Sequence, residues 1–239
     1  MVGLWWVEKA ERSEQTEEIL QFLLYEYRRI FGTWVMHNED CLVYNDPAAS
    51  CPRFIHSTPY KIRLSQPSLG YWCQTVYQLS HEMCHYAIHQ TKKDKTFILS
   101  WFEETVCEAV SLYALEYAQR EWYRCRLSGI APDFHIHFGN YRDQLLADLP
   151  TDGMARCNTV DRLRDYEQRK VAESDRAAHV RERNLLYRAI SQSPLELRYV
   201  LDYTCYLRGD GVTIDFDGWM RDNPCNFVRQ LREIQPVKY

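Results

Sequence analysis

No stretch of this chain approaches the roughly 18 to 20 consecutive apolar residues that a membrane-crossing helix needs. The opening Met1-Val-Gly-Leu-Trp-Trp-Val is too short and has no basic lead-in, so a secretory signal is not expected. A basic surplus is lacking too. The 29 Lys and Arg are outweighed by 33 Asp and Glu, and the two signs are mixed, which leaves no electrostatic footprint for nucleic acid. Internal repeats and low-complexity segments are missing as well, which argues against a stacked-repeat architecture. Cysteine is not scarce, but nine is an odd number and Cys84 and Cys107 fall in expected helices, where packing accounts for them. Cys41 and Cys51 flank Asn45-Asp46-Pro47 and could pair, yet the pattern as a whole fits a reducing cytosol and no disulfide is expected. These absences predict a soluble cytoplasmic protein with neither a nucleic-acid nor a membrane partner. At 239 residues the chain can bury a substantial core.

The most informative stretch present is His81-Glu82-Met83-Cys84-His85, followed after eighteen residues by Glu104 within a second helix-like segment, 101–108. Residues four apart on a helix lie one turn above each other on the same face, so His81 and His85 can direct ring nitrogens at one ion while Glu82 flanks it. A third ligand must come from elsewhere, and Glu104 is the candidate. Three protein ligands with an open position are the arrangement of catalytic zinc, because the open corner holds the reacting water. The context agrees. Residues 60–65 alternate like a strand, Pro67, Ser68 and Gly70 end it, and a helix follows whose Trp72, Val76, Leu79, Met83 and Ala87 make one apolar face. His81 and His85 lie away from that face, as a cleft-lining helix requires.

This spacing resembles the gluzincin branch of the zincin metallopeptidases over about residues 55–118. The resemblance implies that His81, His85 and Glu104 bind one Zn2+ per chain and that Glu82 is the general base. Trp101-Phe102-Glu103-Glu104 resembles the hydrophobic pair and acidic ligand that open the second metal helix of those enzymes, which favours Glu104 over Glu103. Two departures stand out: a position often filled by Asp is Glu108, and no Tyr or His matches the family's transition-state stabiliser. The chemistry also stands without the family. Zinc brings the pKa of bound water toward about 7, and a carboxylate beside it can relay the proton to the leaving amine. Glu108, one turn beyond Glu104, is placed either to accept the second ring proton of a metal-bound histidine or to make a plain salt bridge. Glu103 is expected to be a solvated or helix N-terminal carboxylate. His89 lies roughly 12 Å along the helix from His81, too far to share an ion, and is expected at the surface or behind the ligands.

Two histidines and one carboxylate also form the facial triad of non-haem Fe(II) oxygenases, so an Fe(II) hydroxylase is the alternative enzyme. A catalytically inactive zinc scaffold that binds a partner is the alternative outside catalysis, although it has no chemical use for Glu82.

The chain reads as α+β: a short mixed sheet with an active-site helix and a second metal-ligand helix, followed by a mainly helical C-terminal half. By the resemblance, residues 1–130 are a zincin-like catalytic unit and residues 131–239 complete the cleft, either separately or in one continuous domain. Residues 12–31 form a helix with Ile19, Phe22, Leu23, Tyr27 and Ile30 as its apolar stripe, stopped by Gly32. Strands are expected at 41–44, 53–56 and 60–65, and residues 134–138, where His135 and His137 alternate with Phe and Ile, are expected as a loop or strand with both histidines on a solvated face. Helices are expected at 142–149, at 158–190 with a solvated charged face, after Pro194, and from Pro224. His179, Tyr187, Tyr199 and Tyr203 are candidate donors to an oxyanion. The function expected is peptide-bond hydrolysis on a peptide or protein substrate.

Overall fold

A computed structural model describes residues 3–238, apart from the side chains at 172 and 174. Helix makes up 62% of it and the strands are confined to the N-terminal part, which is the α+β class expected. Among the described residues no helix is long and apolar enough to cross a membrane. Packing divides the chain into two compact units, each drawn from two stretches: Met1–Gln90 with Val110–Leu145, and Thr91–Ala109 with Leu146–Tyr239. The expected cut at residue 130 falls inside the second stretch of the first unit.

In the first unit, strand β1 (Trp5–Val7) leads to helices α1 (Ser13–Phe31) and α2 (Thr33–Met36), then to strands β2 (Cys41–Asn45), β3 (Arg53–Ile55) and β4 (Tyr60–Leu64). The five stripe residues of α1 are all buried. That helix ends where Gly32 takes φ 94°, a backbone conformation that L-residues with a Cβ resist, and returns its N–H to the Arg28 carbonyl at 3.0 Å. The sheet order is β1-β2-β4-β3, with β1, β2 and β4 parallel and β3 antiparallel at the edge. Cys41, Val43, Ile62 and Leu64 alternate along β2 and β4 and are wholly buried, as the period-two side-chain direction of a strand requires. Strand β1 was not expected. Its three residues are too few for alternation to register, and it forms because Trp5 packs edge-on against Tyr86 and donates its indole N–H to Met36.

Helix α3 (Trp72–Thr91) carries the histidines, and helix α4 (Ser100–Glu121) carries the acidic residues that follow. The expected apolar face of α3 is buried, but so is much of the opposite face, because its polar groups find partners. Tyr27 donates to the Ser80 carbonyl at 2.6 Å, Gln78 brackets the Ser65 backbone at 2.9 and 3.1 Å, and Tyr86 donates to the Glu39 carbonyl at 2.9 Å. The region expected as a loop or strand at 134–138 is instead the end of a 3-10 turn, Pro132–Phe134, and the start of helix α5 (His135–Leu146). Phe134 and Phe138, one helical turn apart, are in ring contact with each other and with Trp122, so aromatic packing selects the 3.6 period over the 2.0 period.

The second unit is helical. The helix expected over 158–190 is broken into α6 (Val160–Gln168), α7 (Val171–Ser174) and α8 (Val180–Gln192), with Lys170 at φ 51° between the first two. Its charged residues are not uniformly solvated either. Arg183 is buried and paired with Glu108 and Asp148, both at 3.6 Å, and Glu167 accepts the backbone N–H groups of Ser100 and Trp101 at 2.5 and 3.0 Å. That carboxylate fills the place of the missing i−4 acceptors at the start of α4. The helix after Pro194 is a 3-10 helix, Pro194–Tyr206. Asp210 then turns the chain by accepting the N–H groups of Val212 and Thr213 at 2.9 and 2.8 Å, before α9 (Phe216–Asp222) and α10 (Asn226–Ile234).

Candidate metal centre

One ligand atom each from His81, His85 and Glu104 lies within 4.8 Å of the other two, and among the described residues this is the one such group of His, Cys, Asp or Glu. The two imidazoles stand one turn apart on α3 with their Nε2 atoms 3.1 Å from each other. Their planes are inclined at 61° with centroids 4.9 Å apart, so the rings meet edge to edge and do not stack. Two nitrogens so close either share a proton or direct both lone pairs at a common cation. Tetrahedral zinc with Zn–N near 2.0–2.1 Å places two histidine nitrogens about 3.3 Å apart, so the observed separation fits an ion at that vertex. The carboxylate of Glu104 supplies a third donor and a negative charge. His81 is buried while His85 and Glu104 are partly exposed. Glu82, next to His81 on α3, is itself buried at 4% exposure.

The neighbours of these residues include some that the sequence concealed. Of the two places expected for Glu103 it takes the helix N-terminal one, in the first turn of α4, and is not solvated: it is buried, forms an ion pair with the ammonium of Lys92, and accepts a hydrogen bond from the Tyr203 hydroxyl. Burial, together with the adjacent Glu103 charge, pushes the Tyr203 phenol well above its ordinary value, so it stays a donor. Tyr203 is thereby committed to Glu103, which removes it from the candidate oxyanion donors. Lys92 also donates to the Phe97 carbonyl at 2.9 Å. Glu108 is paired with Arg176 at 3.2 Å and with Arg183 at 3.6 Å, the salt-bridge arrangement weighed from the sequence. His89 is not a surface residue: it is buried, within 3.2 Å of the Tyr60 hydroxyl and in ring contact with Phe54 and His56. His179 is buried, and Tyr187 and Tyr199 are half-buried. His135 approaches the Pro132 carbonyl at 3.0 Å and His137 is exposed, both on α5. All nine cysteines are free thiols, Cys41, Cys51 and the buried Cys84 among them.

Lys92 and Glu167 were legible only as charged residues in the sequence, and Tyr203 only as a candidate donor to an oxyanion. Nothing in local periodicity signals that three separated segments meet at the first turn of α4.

Comparison with known proteins returned no matching protein-family model, no matching curated protein and no matching solved structure.

Proposed function

We propose that this protein is a zinc-dependent, gluzincin-like metallopeptidase that hydrolyses peptide bonds with Glu82 as general base. The observation that carries the reading is that His81, His85 and Glu104, from two helices, each offer a ligand atom within 4.8 Å of the other two. Zinc bound there would polarise the scissile carbonyl and bring the pKa of water toward about 7. The neutral imidazoles of His81 and His85 offer their lone pairs, and Glu104 offsets part of the cationic charge. Glu82 accepts the proton of the attacking water and passes it to the departing nitrogen. Glu108, held by Arg176 and Arg183, steadies the helix that presents Glu104. Strand β3, antiparallel at the sheet edge, supports a peptide substrate, since an edge strand can pair with an extended chain through the backbone with little sequence choice. Nine free thiols suit a cytoplasmic location.

Elemental analysis of protein purified without added metal tests the reading, beside a His81→Ala, His85→Ala double variant. The expected result is one zinc per chain, lost in the variant. Glu82→Gln should retain that zinc while turnover of a peptide library falls by a factor of about 100 or more. Iron with an oxygen requirement would replace the peptidase by a hydroxylase, and unchanged behaviour of Glu82→Gln would leave a scaffold. Failure of both protein samples to bind metal, even after reconstitution, would end the proposal.

A further inference from the structure

None of the strands β1 to β4 contains an Asp or Glu, in a chain that has 33 of them, while β3 and β4 carry Arg53, Lys61 and Arg63. Strand direction gathers these cations on one face. Phe54 stands opposite the buried Ile62 and packs on α3, in ring contact with Tyr86 and His89, so Arg53 and Ile55 turn to the other side of the sheet. The register then sets Arg53 opposite Arg63 and Ile55 opposite Lys61. Like charges facing each other across a ladder oppose the pairing. Among the described residues, none of the three cations forms an ion pair with a carboxylate. We propose that the edge of β3 takes an extended acidic peptide as an added strand, with carboxylates on alternate residues set against Arg53 and Arg63.

The geometry of the edge supports this occupant. Strand β3 ends the sheet order, so one side of its backbone has no neighbour within the sheet. An added strand would lie about 4.8 Å beyond it, with every second side chain on the cationic face. Arg53 is exposed and borders that strand directly. Arg63 is half-buried and one strand further in, yet its guanidinium reaches across to donate to the Cys51 carbonyl at 3.3 Å, at the entry to β3. Both positive groups therefore serve the same end of the edge, and a guanidinium fork matches a carboxylate in two parallel hydrogen bonds. Phe54, held between Tyr60 and the two α3 rings, fixes the strand in place. His89 lies one turn beyond His85, so this edge runs beside the helix of the metal centre.

Backbone pairing alone exerts little sequence choice, and the cations supply it. They also exclude other occupants. A second copy of this chain pairing edge to edge would bring the arginines of both copies together, which is how charged edge strands refuse their own kind. A nucleic acid offers anions but no amides to continue the ladder. A peptide with Glu or Asp at alternate positions satisfies backbone and cations together. As a statement about what is cleaved, this rests on the peptidase reading; as a statement about binding, it does not.

Fluorescence anisotropy of the full chain, carrying Glu82→Gln so that no probe is hydrolysed, tests the proposal with a short labelled peptide of alternating Thr and Glu. Control peptides replace each Glu by Gln or by Lys, or keep Glu and methylate alternate backbone nitrogens. The Glu peptide should bind at least about tenfold tighter than the Gln peptide in about 50 mM salt, with the margin shrinking in about 500 mM salt. Arg53→Gln with Arg63→Gln should erase the difference. Arg53→Glu with Arg63→Glu should turn the preference toward the Lys peptide, a reversal that damage to the fold cannot produce, and the exposed Arg53→Glu change alone should move it the same way. The proposal is overturned if the Glu and Gln peptides bind alike, if charge reversal leaves the preference unmoved, or if the methylated peptide binds as well as its parent. A single-stranded oligonucleotide bound through the same arginines as tightly as the Glu peptide would overturn it too. Protein without metal or turnover that still prefers the Glu peptide would remove the peptidase and leave the docking edge. Zinc and turnover without that preference would remove the docking edge alone.

Discussion

Replacing Lys92 by Met is the most demanding test of how the first turn of α4 is built. The Lys92 and Glu103 side chains are each 3% exposed, so the substitution removes the ammonium paired with a buried carboxylate. Glu103 would keep the Tyr203 hydroxyl and the distant Leu99 N–H at 3.4 Å, and the Phe97 carbonyl would lose the donor it has at 2.9 Å. Removing one partner of a buried pair typically costs about 3 to 5 kcal/mol. The Tyr203 hydroxyl still donates to the carboxylate, which places the expectation near the lower end, about 3 kcal/mol. Against a total stability of about 5 to 15 kcal/mol, that is a large fraction. Urea unfolding at neutral pH followed by tryptophan fluorescence would read it as a lower midpoint at unchanged slope. The second variant is the sharper control. Lys92→Met with Glu103→Gln removes both charges and keeps an acceptor for Tyr203, so it should recover to within about 1 kcal/mol of the parent. A single variant that loses less than about 1 kcal/mol, or a double variant worse than the single, refutes the account of a buried, mutually dependent pair.

Three further outcomes follow from separate features. Gly32→Ala should cost about 1 to 2 kcal/mol in chemical unfolding, because its φ of 94° disfavours a Cβ while the nearest atom, on Trp34, is 3.7 Å away, so conformation and not crowding sets the loss. Free zinc at about 100 times its dissociation constant should stabilise the parent by about 2.7 kcal/mol in a thermal or urea titration; a Glu104→Ala protein stabilised equally would remove Glu104 from the ligand set. Burial raises the Glu167 carboxyl above its ordinary 4.5, so the folded protein holds that proton more firmly than the unfolded chain does. Its contribution to stability is therefore complete below pH 4.5 and fades as pH rises through the folded-state value. Relative to the parent, Glu167→Gln should gain stability between pH 4.5 and pH 8, and a constant or falling difference in paired unfolding curves would contradict this.

Elements whose signal is local were legible in the sequence. The stripe of α1, the alternation of β2 and β4 and the punctuation before α3 each rest on neighbours within a few residues, and the structure holds all of them. The His81-Glu82-x-x-His85 pair was legible for the same reason, since a helix brings residues four apart together whatever else the chain does. Errors arose where two periods fit equally well or where a charge found a remote partner. Phe134 and Phe138 satisfy both a two-residue and a four-residue repeat, and only contact with Trp122 decides between them. Glu103, Glu167 and Arg183 look like surface residues by type, and each is satisfied by a group well away in sequence, such as Tyr203, Ser100 or Asp148.

The first turn of α4 has an implication for how the protein can be made. Glu104 follows His85 closely in sequence, but the turn that presents it is seated by Glu167, by Tyr203 through Glu103, and by the Val212 carbonyl, which receives the Trp101 indole N–H at 2.9 Å. During synthesis at about 5 to 20 residues per second, the ribosome would release both histidines several seconds before those later groups emerge. A nascent chain in that interval has two ring nitrogens and an unanchored carboxylate, which is a loose chelator and not a finished site. Were the group to take a metal as proposed, capture would become tight late, once the C-terminal segments have closed on the start of α4, and a fragment cut to the motif alone would keep the letters of the signature without its grip.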